Sequence, residues 1–273
     1  MNTIVSIIIP CFNSEATLEA TLESVLNQKF QNWEAIIVND GSVDTTEEIA
    51  LRWVNKDDRF VYYSKQNEGL GKTRNFAINK SIGTLILPLD SDNQLEENFV
   101  HDSISIFENN TDIGVVYGHA QYFGKKYGVW NVPEYKLEKM LIVNYIDACA
   151  IYKKSIWEQV GGYDVNMPYQ GHEDWDLWLA FGSINVSFFH LKKITFKYFV
   201  SENSMIRSFS QLMTESNQDY IVKKYSKLYY YYYTAISENK EFHEKLKNEM
   251  KSKKFVVNLC TKMFFKFKLF KSI

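Results

Sequence analysis

Hydrophobic positions along this chain follow two rhythms that alternate through its first hundred residues. Val5-Ser6-Ile7-Ile8-Ile9 is a nearly unbroken apolar run and reads as a buried strand ended by Pro10. Leu18, Leu22, Val25 and Leu26 then recur at i, i+4, i+7 and i+8, one face of a helix that Asn13 or Ser14 is placed to cap. Ala35-Ile36-Ile37-Val38 is the second strand. Asp44-Thr45-Thr46-Glu47 resembles a capping box opening a second helix through Ile49, Ala50 and Trp53. Phe60 to Tyr63 reads as a third strand and Lys72 to Lys80 as a third helix. A fourth strand, Gly83 to Leu89, runs into Asp90-Ser91-Asp92. If strand geometry persists to its tip, the two carboxylates project to one side.

Repeated strand–helix units with near-continuous apolar strands predict an α/β fold with a parallel sheet covered on both faces. Ligands of such sheets bind beyond the carboxyl ends of the strands. That rule gathers Asn13, Asp40-Gly41-Ser42, Asn67-Glu68-Gly69, and Asp90 with Asp92 on one rim. The second half is mixed. Gly114 to Trp130 reads as strand, turn and strand, and Ile146 to Tyr152 as a further strand. A short helix follows that Gly161-Gly162 terminates, then a helix from Trp175 to Phe181 and a β-rich stretch from Val186 to Val200. No Pro/Gly/Ser-rich linker separates the halves, so the second is expected to extend the same sheet.

The 273 residues, 45% hydrophobic, suffice for one large core or a core with an appendage. A net charge of -2 gives no global sign of nucleic-acid binding. Cys11, Cys149 and Cys260 lack metal-ligand spacing and read as reduced thiols. Neither a signal-peptide pattern nor a membrane-spanning run is apparent, which points to the cytoplasm.

Six motifs then carry a resemblance. They are Val5-Ser6-Ile7-Ile8-Ile9-Pro10-Cys11-Phe12-Asn13, Ile37-Val38-Asn39-Asp40-Gly41-Ser42-Val43-Asp44, and Asn67-Glu68-Gly69-Leu70-Gly71-Lys72-Thr73-Arg74-Asn75, followed by Leu89-Asp90-Ser91-Asp92, Gly161-Gly162-Tyr163-Asp164, and Gly171-His172-Glu173-Asp174-Trp175-Asp176-Leu177-Trp178. In this order, over roughly residues 4 to 205, the chain resembles the inverting glycosyltransferases of family 2, with a GT-A fold: a Rossmann-like, mostly parallel central sheet flanked by helices.

The resemblance implies a nucleotide-sugar donor, usually a UDP-sugar, and Mn²⁺ or Mg²⁺. Asp40 would accept from the uracil imide N–H. Pro10, Cys11 and Asn13 would line the base, with Ser42 and Asn67 beside them on the rim. Arg74 would pair with the diphosphate or buttress the base pocket. Asp90 would hold the ribose, with Ser91 next to it, and Asp92 would ligate the metal. Asp174 would be the general base, with Glu173 positioning it or the acceptor. Trp175 and Trp178 would be core or pocket-wall residues. Where many members carry a histidine, this chain has Ser201, a poorer metal ligand.

The expected organisation is a catalytic domain over 1–207 and a helical extension over 208–273. The extension holds the run Tyr229 to Tyr233, then a lysine-rich aromatic tail without acidic residues beyond Lys251. Such a tail suits an anionic membrane surface; packing on the catalytic domain or a contact between two copies is the competing reading. The expected acceptor is a glycan or lipid-linked sugar of a bacterial surface polysaccharide or lipooligosaccharide, at the cytoplasmic membrane face. Two rivals stand beside this: a catalytically silent nucleotide-sugar-binding scaffold, and a nucleotidyltransferase. The second would need a Gly-rich phosphate loop after strand one, and Cys11-Phe12-Asn13-Ser14-Glu15 is not one.

Overall fold

The computed structural model describes residues 5–201, 210–238 and 248. Elements alternate as the periodicity predicts: β1 (Val5–Cys11), α1 (Leu18–Leu26), β2 (Trp33–Asp40), α2 (Thr46–Lys56), β3 (Phe60–Lys65), α3 (Leu70–Lys80) and β4 (Leu85–Pro88). Then come β5 (Gln94–Leu95), α4 (Phe99–Asn109), β6 (Ile113–Gly124), β7 (Gly128–Trp130), α5 (Leu137–Met140), β8 (Ile151–Lys153) and α6 (Lys154–Val160). α7 (Glu173–Ser183), β9 (Ser187–Val200), α8 (Gln211–Lys224) and α9 (Ser226–Glu238) complete them.

One sheet runs in the order β3-β2-β1-β4-β8-β6-β9-β5, with β7 on β6. β3, β2, β1 and β4 are mutually parallel, in registers such as Ile7↔Ala35 and Ile7↔Leu87. β8 runs antiparallel to β4, and the second half continues the sheet as expected. Every residue of β1 is buried. Ile7, Ile9, Leu22, Val25, Trp33 and Ile37 join one core cluster, each side chain contributing about 1.5–3 kcal/mol by leaving water.

Four local expectations shift. β1 passes through Pro10 to Cys11. The Ile8 carbonyl accepts from Leu89 N on the β4 side, and Pro10, of the same parity, places its missing N–H beyond the end of that pairing. α1 starts at Leu18, and the Ser14 carbonyl, not a capping side chain, accepts from Thr17 N and Leu18 N. At α2 no reciprocal capping box forms. Asp44 accepts from Thr46 N at 3.0 Å, and Glu15, from the loop after β1, accepts from Thr45 N at 3.0 Å. The strand expected over 146–152 is short, since Asn144 and Asp147 side chains accept from Ile146 N and Cys149 N and divert the backbone from the ladder.

The chain divides into two compact units, Met1–Ile221 and Val222–Ile273. The junction expected at 207/208, Cys260 and the tail beyond Lys251 lie outside the described residues. Tyr229–Tyr233 falls within α9, where Tyr230 and Tyr231 are exposed. Among the described residues, no helix is long and apolar enough to cross a membrane.

Candidate active site at the carboxyl ends of the strands

The loops after β1 and β2 are locked together by the polar residues expected on the rim. Asn13, held at φ 50°, donates its N–H to Ser42 Oγ at 2.9 Å, and its Oδ1 accepts from Val43 N at 2.9 Å. Ser42 N donates in turn to Asn39 Oδ1. These two side chains shape the rim by holding backbone.

A cavity of about 110 Å³ is lined by Pro10, Cys11, Phe12, Asp40, Asn67 and Gln170 among others. Asp40 is buried at the tip of β2. Its Oδ1 accepts from the Lys65 ammonium and from Glu68 N, and its Oδ2 accepts from Gly69 N at 2.9 Å. An ionised carboxylate can take further donors at each oxygen, so Oδ2 keeps acceptor capacity toward the cavity. Gly41, with φ +79°, packs against Asn67, where a Cβ would come within 2.9 Å of Asn67 N.

A second cavity, about 460 Å³, shares Pro10, Phe12 and Leu70 with the first and collects the carboxylates. Asp90, Asp92, Asp147, Glu173 and Asp174 all line it, with Arg74, Ser91, Tyr198 and Ser201. β4 ends at Pro88, so Asp90 and Asp92 are not juxtaposed by strand alternation. A turn closed by Asn93 N to the Asp90 carbonyl at 3.0 Å carries them instead. Ser91 Oγ meets Ser14 Oγ at 2.7 Å, and its carbonyl accepts from Thr21, tying that turn to α1.

Arg74 organises the cluster. It is buried on α3, donating from Nη1 to Glu173 Oε1 at 2.7 Å and from Nη2 to Asp90 Oδ1 at 2.6 Å. Both partners are carboxylates, so its planar fork joins α3, the turn after β4 and the start of α7. Glu173 completes its shell with Gly171 N at 2.7 Å. It is a buried brace between α3 and the start of α7.

Asp174 follows at the second position of α7, which begins two residues earlier than the pattern suggested. Trp175 N donates to its Oδ1 and Asn144 Nδ2 to its Oδ2, both within 2.9 Å. Burial, reinforced by the Glu173 charge, pushes its carboxyl up to about 7 against the lowering effect of Arg74 and those donors. Desolvation therefore outweighs the helix N-terminus. Burial and the Asp90 charge likewise push Asp92 up to about 7. Asp147 is driven well above the carboxylate range by burial first and Asp90 next.

Asp147, Asn144, Gln170 and Tyr198 were not anticipated. A polar residue within an apolar run was the available signal for Asp147. Trp175 and Trp178 are buried, donating to the Met140 and Ile146 carbonyls, and pack as core. His172 Nδ1 meets the Asn217 amide at 3.0 Å. A larger hollow of about 670 Å³ at the other end of β4 pairs Lys153 and Lys154 with Glu108 and Glu158 among apolar and hydroxyl residues, so its charges balance and it lacks the cluster of five acids.

Among the described residues, no cluster of three or more acid, histidine or cysteine side chains is set to hold a metal ion. The donors at Asp90 and Asp92 are hard oxygens, and both carboxylates line one cavity. That fits a divalent ion held by one or two carboxylates, with substrate phosphates supplying further ligands.

The profile of the family described as Glycosyl transferase family 2 matches residues 6–162. This chain belongs to that family. An uncharacterized glycosyltransferase of Rickettsia typhi is 31% identical over 198 residues, covering 68% of this chain and 61% of that protein. The chondroitin synthase of Escherichia coli is 26% identical over 90% of this chain, which spans 37% of that enzyme. The chain thus spans less than two thirds of either relative. Among solved structures, S. aureus TarS 1–349 in complex with UDP-GlcNAc aligns with a TM-score of 0.66 at 20% identity, covering 78% of this chain and 64% of that one. This likeness establishes the GT-A fold.

Proposed function

We propose that this chain transfers a sugar from a nucleotide-sugar, a UDP-sugar in the reading favoured here, to a hydroxyl of a glycan or lipid-linked acceptor, with inversion. One observation carries it: Asp174 opens onto the same cavity as Asp90 and Asp92, braced through Glu173 and Arg74. Family membership, the UDP-GlcNAc held by TarS and the glycan product named for chondroitin synthase support donor and acceptor class.

In this reading the base sits in the smaller cavity with Asp40 accepting its ring N–H, and Pro10, Cys11 and Asn67 beside it. The ribose meets Asp90. Asp92, with Asp90 near, would hold Mn²⁺ or Mg²⁺, which when bound supplies Lewis-acid stabilisation of the departing diphosphate. Ser201 lines this region without adding a histidine ligand. Asp174 takes the proton from the acceptor hydroxyl as its oxygen forms a bond to the anomeric carbon. The bond from that carbon to the diphosphate oxygen breaks on the opposite side, and the nucleoside diphosphate leaves with the electron pair. A base with its carboxyl near 7 is matched to that task at neutral pH. The basic aromatic tail supports a setting against an anionic membrane surface, where polysaccharide or lipooligosaccharide acceptors are assembled.

The test is Asp174→Asn. Hydrolysis-corrected transfer from UDP-sugars should fall by at least a hundredfold while UDP affinity changes less than threefold, since general-base catalysis contributes about 10²–10⁴ in rate. Retention of transfer within tenfold would remove Asp174 from the role of base.

A further inference from the structure

We infer that Gln170 reads the nucleobase, presenting an amide donor beside the Asp40 acceptor so that the pair recognises a ring N–H flanked by a carbonyl. This rests on the nucleotide-sugar reading above and specifies how its base is chosen. Gln170 lies a hundred residues from the start of α3, yet its Oε1 accepts from Leu70 N, the first N–H of that helix, at 2.8 Å. A backbone N–H can face only the oxygen end of a carboxamide, so the nitrogen end is left as a pure donor. That nitrogen lies over Gly69, where an added Cβ would collide with Gln170 Nε2. Gly69 N is the same group that donates to Asp40 Oδ2 at 2.9 Å. Donor and acceptor therefore border one cavity of about 110 Å³, sized for a heterocycle rather than a whole nucleotide, with the exposed Phe12 ring on its wall.

The segment bearing Gln170 is held on both flanks. Tyr169 exchanges hydrogen bonds in both directions with Asn217, buried on α8, at 2.8 and 2.9 Å. Gly171 N donates to Glu173 Oε2. Further back, Tyr220 donates to Asp164. Gln170 is thus an exposed side chain on an anchored backbone, bordering a mostly apolar pocket in which Asp40 and Asn67 are the other polar side chains beside Thr73. Uracil and guanine carry a ring N–H next to a carbonyl and satisfy both groups. Cytosine and adenine offer a lone pair where Asp40 offers another, and an amino group where Gln170 offers a donor. The buried Asp40 carries most of that discrimination, because a mismatched base sets a lone pair against its carboxylate.

The experiment is calorimetric binding of UDP, GDP, CDP and inorganic pyrophosphate, each with Mg²⁺, to the full chain and to Gln170→Ala and Gln170→Glu. Wild-type protein should bind a keto-base diphosphate at least tenfold tighter than CDP. Gln170→Ala should weaken that binding about tenfold, the loss of one hydrogen bond, with pyrophosphate affinity unchanged. Gln170→Glu should weaken it further, since it turns an acceptor toward the base carbonyl. Both variants matching wild type within twofold would overturn the role of Gln170 and leave the nucleotide reading standing. Equal loss of pyrophosphate binding would also overturn it, assigning Gln170 to the fold of the whole site. A wild-type protein that binds none of the three nucleotides would overturn the nucleotide reading, and this inference with it.

Discussion

Replacing Arg74 by Met tests whether one buried cation holds the site together. The guanidinium side chain is 2% exposed, Glu173 is 6% exposed and Asp90 is 32% exposed. Burial works against the Arg74 charge, and Asp90, Tyr163, Glu173 and Asp174 more than offset it. Met fills similar volume, but it leaves Glu173 as an unpaired buried carboxylate and removes the counter-charge facing Asp90. Breaking a buried ion pair from one side costs about 3–5 kcal/mol; the half-open Asp90 end adds little more, because water screens it. At roughly 2–4 °C per kcal/mol for a domain of this size, the melting temperature should fall by about 6–20 °C. Arg74→Lys should recover only part of this, since one ammonium cannot form both arms of the bridge. A double-mutant cycle with Glu173→Gln sharpens the test. The double mutant should be more stable than the sum of the single effects by about 1–3 kcal/mol, because the neutral amide removes the charge that Arg74→Met strands. Denaturant unfolding at pH 7 reads all four proteins. An Arg74→Met loss below about 1 kcal/mol, or strict additivity in the cycle, would refute the idea of a strut.

The remaining expectations are shorter. Transfer activity should rise tenfold per pH unit below about 7 and level off above it, because the base must be deprotonated and Asp174 is pushed up to about 7; a pH-independent rate from 5 to 8 would contradict this. Protonated Asp174 is favoured by folding, so that residue contributes stability fully below its unfolded value near 3.9, which is lost as pH rises toward 7. Unfolding midpoints measured from pH 4 to 8 should show that decline, and a rise attributable to Asp174, absent in Asp174→Asn, would reverse the sign. Asp92→Asn should abolish any increase in melting temperature produced by Mn²⁺ with UDP, while an unchanged increase would place the ion elsewhere. Asn217→Ala should cost about 2–3 kcal/mol by stranding the Tyr169 backbone groups. It should also speed hydrogen exchange over 164–172, and unchanged exchange there would mean α8 does not anchor that segment.

The parallel half of the sheet was legible because its strands are buried on both faces, so Ile7, Ile37 and Leu87 stand in runs that no surface strand would tolerate. The rim followed from the rule for strand ends, which places Asp40, Asn67 and Asp90 without any knowledge of contacts. Periodicity is silent on which charges meet. Arg74 looks like an ordinary helix cation, and only the arrival of partners 16 and 99 residues away makes it a buried strut. Asp147 stands out in the sequence only as a polar residue in an apolar run, because its role is set by a bend that its own side chain creates. Gln170 had no sequence signal at all, since a glutamine in a loop acquires meaning only from the helix end it reaches. The expectation for Asp90 and Asp92 went astray on its reason, the turn after Pro88 doing the work assigned to the pleat.

The contrast has a physical source. Burial is decided by many weak contacts spread along an element, so it leaves a repeating trace in the chain. The site instead depends on a few strong pairings whose partners lie far apart in sequence, and each pairing leaves a single residue behind. The upward shifts at Asp92 and Asp174 are properties of that assembled cluster and not of either aspartate. Any substitution that loosens the α3–α7 bridge should therefore alter the acid–base behaviour of Asp174 before it unfolds the sheet. The activity of Arg74→Lys as a function of pH is where this shows first: with the counter-charge displaced, the lower limb should move above 7 while the parallel core stays intact.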